Sequence, residues 1–208
     1  VLFRSDTVTG TPYVADAGAA VVLEADTGRV VAMASQPTYD PDVWTGGIST
    51  GQLDRLYSED AGTPLLSRAT QGQFAPGSTW KPFMTLGALR NGYSTDTRLD
   101  CSSSFAVGNR AFNNYESGAY GYIGFAKALE VSCNTFFYRI GYDFWQRFGS
   151  DPADIDAKAP LVEVAQEFGF GSRTGIDLPG EAPGREAGGC QRVLADSYEK
   201  LAGALERR

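Results

Sequence analysis

The sequence predicts an α/β (α+β) globular chain, and three observations carry that reading. Two Val- and Ala-rich runs near the start flank Asp26-Thr27-Gly28 and read as a β-hairpin. Apolar, aromatic-rich segments downstream repeat at helical spacing. The 208 residues are 42% hydrophobic and 21% charged, a globular composition on a chain long enough to bury a core without disulfide staples.

The elements follow in order. The hairpin strands run from Ala19 to Ala25 and from Arg29 to Ser35, with Gly28 taking the positive-φ position of the turn. Pro37 to Gly47 is a loop rich in Pro, Asp, Gly and aromatics, and Thr50 to Tyr57 is a short helix. Phe74-Ala75-Pro76-Gly77 is a turn that leads into Ser78. From Thr79, Trp80, Phe83, Met84, Leu86, Gly87 and Leu89 fit the apolar face of a helix that Gly92 caps. Pro82 is tolerated only in or near a first turn, so this helix begins close to Ser78. Asp100 to Gly121 is a long polar stretch with little periodicity. Tyr122 to Val131 and Asn134 to Phe148 are helical segments, interrupted around Ser132-Cys133-Asn134. Pro160 to Phe168 is a short amphipathic helix, Gly169 to Pro183 is Gly/Pro-rich, and Arg192 to Leu205 is a final helix.

Composition narrows the chemistry. The chain has no histidine, which excludes Ser-His-Asp and Cys-His catalysis and His-ligated metal sites. A nucleophile here needs Lys, a carboxylate or Tyr as its base. The net charge of −7 argues against a nucleic-acid surface, which needs a basic face. The longest apolar run, Ala17 to Leu23, is too short to span a bilayer. Cys101, Cys133 and Cys190 have no C-x-x-C spacing and are odd in number, so neither a zinc site nor a closed disulfide framework is indicated. One pair could be bridged in an oxidising compartment without the sequence choosing which; small packing thiols are the favoured reading.

The sharpest motif is Pro76-Gly77-Ser78-Thr79-Trp80-Lys81-Pro82. A serine at a helix start and a lysine three residues on share one face. The Ser78 N–H falls among the unpaired donors of the first turn, where it can face a developing oxyanion. A partly desolvated Lys81 can lose enough basicity to accept the Ser78 proton. A second S-x-x-K match, Ser197-Tyr198-Glu199-Lys200, lies in a charged helical pattern with no turn to expose the serine, and reads as a solvated face. The second element is Ser132-Cys133-Asn134, where a break between two apolar helices projects a hydroxyl and an amide. Taken alone, S-x-N is usually a cap or a turn. Its order after the first motif and its aromatic flanks raise it above that.

These residues resemble the transpeptidase domain of class B penicillin-binding proteins, most closely the elongation-type enzymes. S-x-x-K, S-D-N and K-T-G are motifs of the penicillin-interacting serine enzymes. Segments that look like the family, in order, are Ala20 to Gly28 with its returning strand, Pro37-Thr38-Tyr39-Asp40-Pro41, and Pro64-Leu65-Leu66-Ser67-Arg68-Ala69. Pro76 to Pro82 follows, then Ala128 to Tyr138, and last Thr174 to Glu181. The resemblance implies a mixed sheet flanked by helices plus a helical lobe, with the active site between them. It implies that Ser78 is the acylated nucleophile and Lys81 its general base. Ser132 would relay a proton toward the leaving group, and Asn134 would bind the substrate amide and help position Lys81. Cys133 fills the variable middle position as a packing residue.

The implied reaction is cross-linking of peptidoglycan stem peptides ending in D-Ala-D-Ala, with β-lactams as covalent inhibitors. No metal or organic cofactor is implied. The elongation glycosyltransferase machinery is the implied partner, and the implied location is the extracytoplasmic face of the cell membrane, with an anchor outside this chain. Rival readings are a β-lactamase or D,D-carboxypeptidase of the same superfamily, or a non-catalytic penicillin-sensing or scaffold module. No K-[ST]-G occurs; Arg173-Thr174-Gly175 imitates it but lies where the family has the stretch before its third motif. The fragment is therefore expected to acylate poorly on its own. Val1 to Ser5 also matches the translation of a common sequencing adapter, so residues 1–16 are set apart. Residues 17–185 are read as the N-terminal part of the transpeptidase domain and 186–208 as a divergent helical tail.

Overall fold

A computed structural model describes residues 16–148 and 160–184. The expected helix at Arg192 to Leu205, the Ser197–Lys200 match, Cys190 and the first fifteen residues lie outside the described residues. The described residues form two compact units. One takes the residues through Gln73 together with Ile176–Ala182; the other takes Phe74–Gly175 and the residues from Pro183.

The first unit is built on the hairpin. Strands β1 (Gly18–Leu23) and β2 (Val30–Gln36) pair antiparallel, Gly18 opposite Gln36 and Leu23 opposite Val30, with Gly28 at φ 71° in the connection. Val21, Val22, Leu23 and Val31 are all exposed, on both faces of the ribbon. Continuous apolar runs of this kind are the pattern of strands covered on both sides. Helix α1 (Thr50–Tyr57) matches its expected span because Ser49 makes a capping box with Gln52. In the Pro64–Ala69 segment, Ser35 Oγ accepts the Arg68 N–H at 2.9 Å and donates to the Leu66 carbonyl. The Arg68 guanidinium donates to the Gly62 carbonyl and to Thr63 Oγ1, so one side chain pins the loop that precedes the short helix α2 (Arg68–Gln71).

The second unit holds helix α3 (Lys81–Arg90), strands β3 (Leu99–Cys101), β4 (Ser104–Val107), β5 (Arg110–Asn113) and β6 (Gly121–Ile123), and helices α4 (Phe125–Glu130), α5 (Asn134–Phe148) and α6 (Pro160–Glu167). Strand β3 pairs with β6 and β4 with β5, both antiparallel. The stretch read as polar and aperiodic is thus four short strands, and Tyr122 begins in a strand before its helix starts. Helix α5 buries Phe136, Phe137, Ile140 and Phe144, an i, i+4 stripe that forms the core with Ala88, Cys101, Ile123, Phe125 and Leu161. Gly87 lets α3 and α6 pack closely: a Cβ there would meet Leu161 Cδ2 at 2.7 Å. Arg139 braces β3 from α5, donating to the Asp100 carbonyl and carboxylate and to Ser102 Oγ, with its guanidinium 4.6 Å from the Phe105 ring. The core therefore fixes the start of α3 and the start of α5 against each other, and the two sequence motifs sit at those two starts.

Candidate active site

Ser78 lies in a 3-10 turn, Gly77–Trp80, that runs directly into α3. The helix expected from Ser78 is therefore entered through a tighter turn, and Pro82 sits in the first turn of α3, where its missing N–H costs nothing. In 3-10 geometry residues i and i+3 eclipse, which stacks Lys81 over Ser78. Trp80 is wedged between Phe83 and Phe170, with ring centroids 5.2 and 5.6 Å away, and anchors the turn. Ser78 itself is exposed.

Ser132 follows α4 at φ 52°, in the left-handed region. Its N–H reaches the Leu129 carbonyl at 3.1 Å, and the Cys133 N–H reaches Ala128 at 2.9 Å. This is the Schellman ending of a helix, whose left-handed position is usually glycine. A serine there is strained, and its hydroxyl is what it brings. Asn134 is the first residue of α5.

The two motifs meet across Lys81. Its Nζ donates to the Ser132 carbonyl at 2.6 Å, to Ser132 Oγ at 2.9 Å and to Asn134 Oδ1 at 2.7 Å. Ser132 Oγ in turn donates to Ser78 Oγ at 3.0 Å, joining residues 54 apart in sequence. All four residues singled out by the sequence are thus in one cluster. The hydrogen-bond path from Lys81 to Ser78 runs through Ser132. Lys81 is only 7% exposed and lies 5.7 Å from the Phe137 ring centroid. Burial disfavours its ammonium form and lowers its pKa from 10.5 to about 8. A base with a pKa near neutrality, linked by hydrogen bonds to an exposed serine hydroxyl, can generate a serine nucleophile without histidine. Asn134 accepts from Lys81 through Oδ1, which leaves its Nδ2 group on the other arm of the amide.

Four residues around the cluster have roles that were not anticipated. Cys101 and Cys133 form a disulfide, so their reading as packing thiols is corrected. The odd cysteine count did not bear on a single bridge, and pairing across 32 residues is set by how β3 packs on the start of α5. Asn114 and Thr135, both buried, brace the same junction. Arg173-Thr174-Gly175 lies in irregular backbone, not in a strand. No group of three or more His, Cys, Asp or Glu side chains among the described residues is placed to hold a metal.

A family model described as the penicillin binding protein transpeptidase domain matches residues 18–197. The chain belongs to the transpeptidase-domain family of class B penicillin-binding proteins. This domain is similar to the peptidoglycan D,D-transpeptidase MrdA of Escherichia coli (strain K12), 36% identical over 169 residues, which are 80% of the chain and 25% of that relative. It thus spans about a quarter of the length of that relative. It is also similar to the solved penicillin-binding protein PBP2 of Helicobacter pylori in complex with MreC (TM-score 0.65, 27% identity, 80% of this chain and 29% of that one). A third likeness is to penicillin-binding protein A of M. tuberculosis as its penicillin G acyl-enzyme complex (TM-score 0.62, 25% identity, 85% of this chain and 41% of that one). The penicillin-binding transpeptidase fold is therefore the architecture of this chain, which matches part of each of those structures.

Proposed function

We propose that this transpeptidase domain takes part in peptidoglycan cross-linking as a serine D,D-transpeptidase, with Ser78 as nucleophile. The observation that carries the reading is the Lys81–Ser132–Ser78 hydrogen-bond chain ending on a buried lysine of lowered pKa. When Lys81 is neutral, its two N–H bonds serve the Ser132 carbonyl and Asn134 Oδ1. Its lone pair then faces Ser132 Oγ. The Ser132 hydroxyl rotates toward Lys81 and accepts from Ser78, so the Ser78 proton has a path to Lys81.

Ser78 Oγ attacks the carbonyl of the penultimate D-Ala of a stem peptide as its proton passes to Lys81. The Ser78 N–H, unpaired at the start of its turn, is one donor toward the oxyanion. The C–N bond breaks, the departing D-Ala takes the proton back through Ser132, and an ester on Ser78 remains. The amine of a neighbouring stem peptide then attacks that ester and restores Ser78. Asn134 Nδ2 holds the amide carbonyl of the substrate. A β-lactam follows the first half and stays on Ser78.

Residues 17–185 are the N-terminal part of the domain in this reading. The chain carries no K-[ST]-G, so the segment that completes the oxyanion hole and binds the terminal carboxylate lies outside it. The domain works at the extracytoplasmic face of the membrane, where stem peptides are, held there by an anchor beyond this chain; no helix among the described residues is long and apolar enough to cross a membrane. The Helicobacter pylori relative is seen with MreC, which supports a partner in the elongation machinery.

The test is turnover by the longest natural form that carries this chain, given a D-Ala-D-Ala stem peptide with and without an acceptor amine. The expected result is D-Ala release with the acceptor joined to the product, lost in Ser78→Ala. Release as hydrolysed acid despite saturating acceptor would assign a carboxypeptidase instead. No D-Ala release, and no acylation by penicillin, would leave the scaffold reading.

A further inference from the structure

Ser132 and Asn134 are placed by what holds the residues between and beside them. The junction from Val131 to Asn134 belongs to no strand, so no ladder fixes it. Residues 132 and 134 bond to Lys81, while residues 133 and 135 are tied to the opposite side. Cys133 Sγ is bonded to Cys101, the last residue of β3, and the two cysteines are 2% and 0% exposed. The Thr135 N–H donates to Asn114 Oδ1 at 3.0 Å, and Thr135 Oγ1 donates to the Ser102 carbonyl at 2.8 Å. Asn114 Nδ2 closes the bracket by donating to the Ser102 and Gly118 carbonyls at 2.8 and 2.7 Å. A side-chain bracket thus joins the catalytic-motif junction to residues 101–102 and 114–118, and its one covalent member is the disulfide.

We propose that the Cys101–Cys133 disulfide is a positioning clamp for Ser132 and Asn134, which makes acylation of Ser78 depend on the oxidised state of this pair. The clamp rests on the acyl-serine reading above for its effect on activity, though not for its effect on the junction. Buried, hydrogen-bonded support of this kind is what holds reacting groups within a fraction of an ångström. Two-electron reduction by a dithiol such as dithiothreitol breaks the Sγ–Sγ bond. Each cysteine takes a proton from the reductant, which leaves as its cyclic disulfide. Released from Cys101, residue 133 keeps its backbone bond to Ala128 and weak sulfur contacts with the Phe136 N–H, Thr135 Oγ1 and the Asn114 amide, none of them covalent. The strained left-handed Ser132 is then free to relax, and Lys81 loses the shelter that burial of its amine requires.

The experiment uses the longest natural form that carries the chain in three states: oxidised, reduced and desalted under argon, and reduced then re-oxidised with oxidised glutathione. A Cys101→Ala/Cys133→Ala variant runs beside them. Peptide mass after alkylation establishes the state of residues 101 and 133. Two readouts follow: the rate of acylation by a fluorescent penicillin across pH, and amide hydrogen exchange of the peptide spanning residues 129–136. The clamp predicts faster exchange in that peptide on reduction, with the global unfolding transition retained. It predicts acylation slower by about tenfold or more. It also predicts a pH profile moved upward as Lys81 is hydrated, and recovery on re-oxidation. Unchanged exchange and unchanged acylation in a verified dithiol overturn it. So does a loss of activity that tracks the folded fraction with the pH profile unmoved, because that is a purely structural bond. If the oxidised protein fails to acylate at all, the acyl-serine reading fails. Exchange at 129–136 then decides the clamp alone: faster on reduction sustains it, unchanged overturns it.

Discussion

Replacing Ser132 by glycine should separate the folding of this junction from its chemistry. Ser132 sits at φ 52°, the position after α4 where glycine carries no Cβ penalty. A left-handed residue with a Cβ costs roughly 1–2 kcal/mol. Glycine removes that strain, and its freer unfolded chain takes back about 0.4–1 kcal/mol. Ser132→Ala loses the same hydroxyl but keeps the strain, so comparing glycine with alanine cancels the lost bonds to Lys81 and Ser78. The expected outcome is that Ser132→Gly is more stable than Ser132→Ala by up to about 1.5 kcal/mol. Both variants lose the proton relay, and positioned general acid–base groups contribute about 10²–10⁴-fold, so both should acylate slower by a factor in that range. Urea denaturation midpoints and penicillin acylation rates on the same preparations make the measurement. A glycine variant less stable than the alanine variant would refute the strain argument. A glycine variant acylating at the wild-type rate would refute the relay.

Further predictions rest on other contacts. Acylation should rise with pH through about 8, because the reactive form is neutral Lys81 and burial has lowered its pKa to that value; a flat profile from pH 6 to 10, measured by stopped-flow labelling, contradicts it. Gly87→Ala should destabilise by about 1–3 kcal/mol despite the better helix propensity of alanine, since the new Cβ meets Leu161 Cδ2. Pairing it with Leu161→Ala should cost less than the sum of the two changes. Arg139→Lys should lower the melting temperature by an amount corresponding to about 1–2 kcal/mol, because one ammonium cannot serve Asp100, Ser102 and the Phe105 face together; an unchanged melting temperature contradicts it.

Local chemistry accounts for what was legible in the sequence. The 19–35 hairpin, the helix at Thr50–Tyr57 and the α5 core stripe carry their own signals in turn residues, a capping box and periodicity. Ser78, Lys81, Ser132 and Asn134 were legible because each motif is short and sits at a helix start, where geometry is local. That they meet was expected only through the family resemblance, because no local signal gives it: it depends on how α3 and α5 cross. Strands β4 and β5 were missed although Gly108-Asn109 between Phe105-Ala106-Val107 and Arg110-Ala111-Phe112 is a two-residue hairpin signal, with Gly108 at φ 59°. Short Ser- and Asn-rich flanks hid its alternation. The Cys101–Cys133 pairing and the bracing Asn114 had no sequence signal, because a bridge over 32 residues and a buried amide are decided by tertiary packing alone.

The most direct test of the central claim is intact mass, followed by peptide mapping, after incubation with benzylpenicillin. The longest natural form that carries this chain would be run beside its Ser78→Ala variant. The account predicts one persistent penicilloyl group per molecule, mapped to Ser78, and none on the variant. A folded protein that stays unmodified, or an adduct that survives Ser78→Ala, would contradict the assignment of Ser78 as the nucleophile.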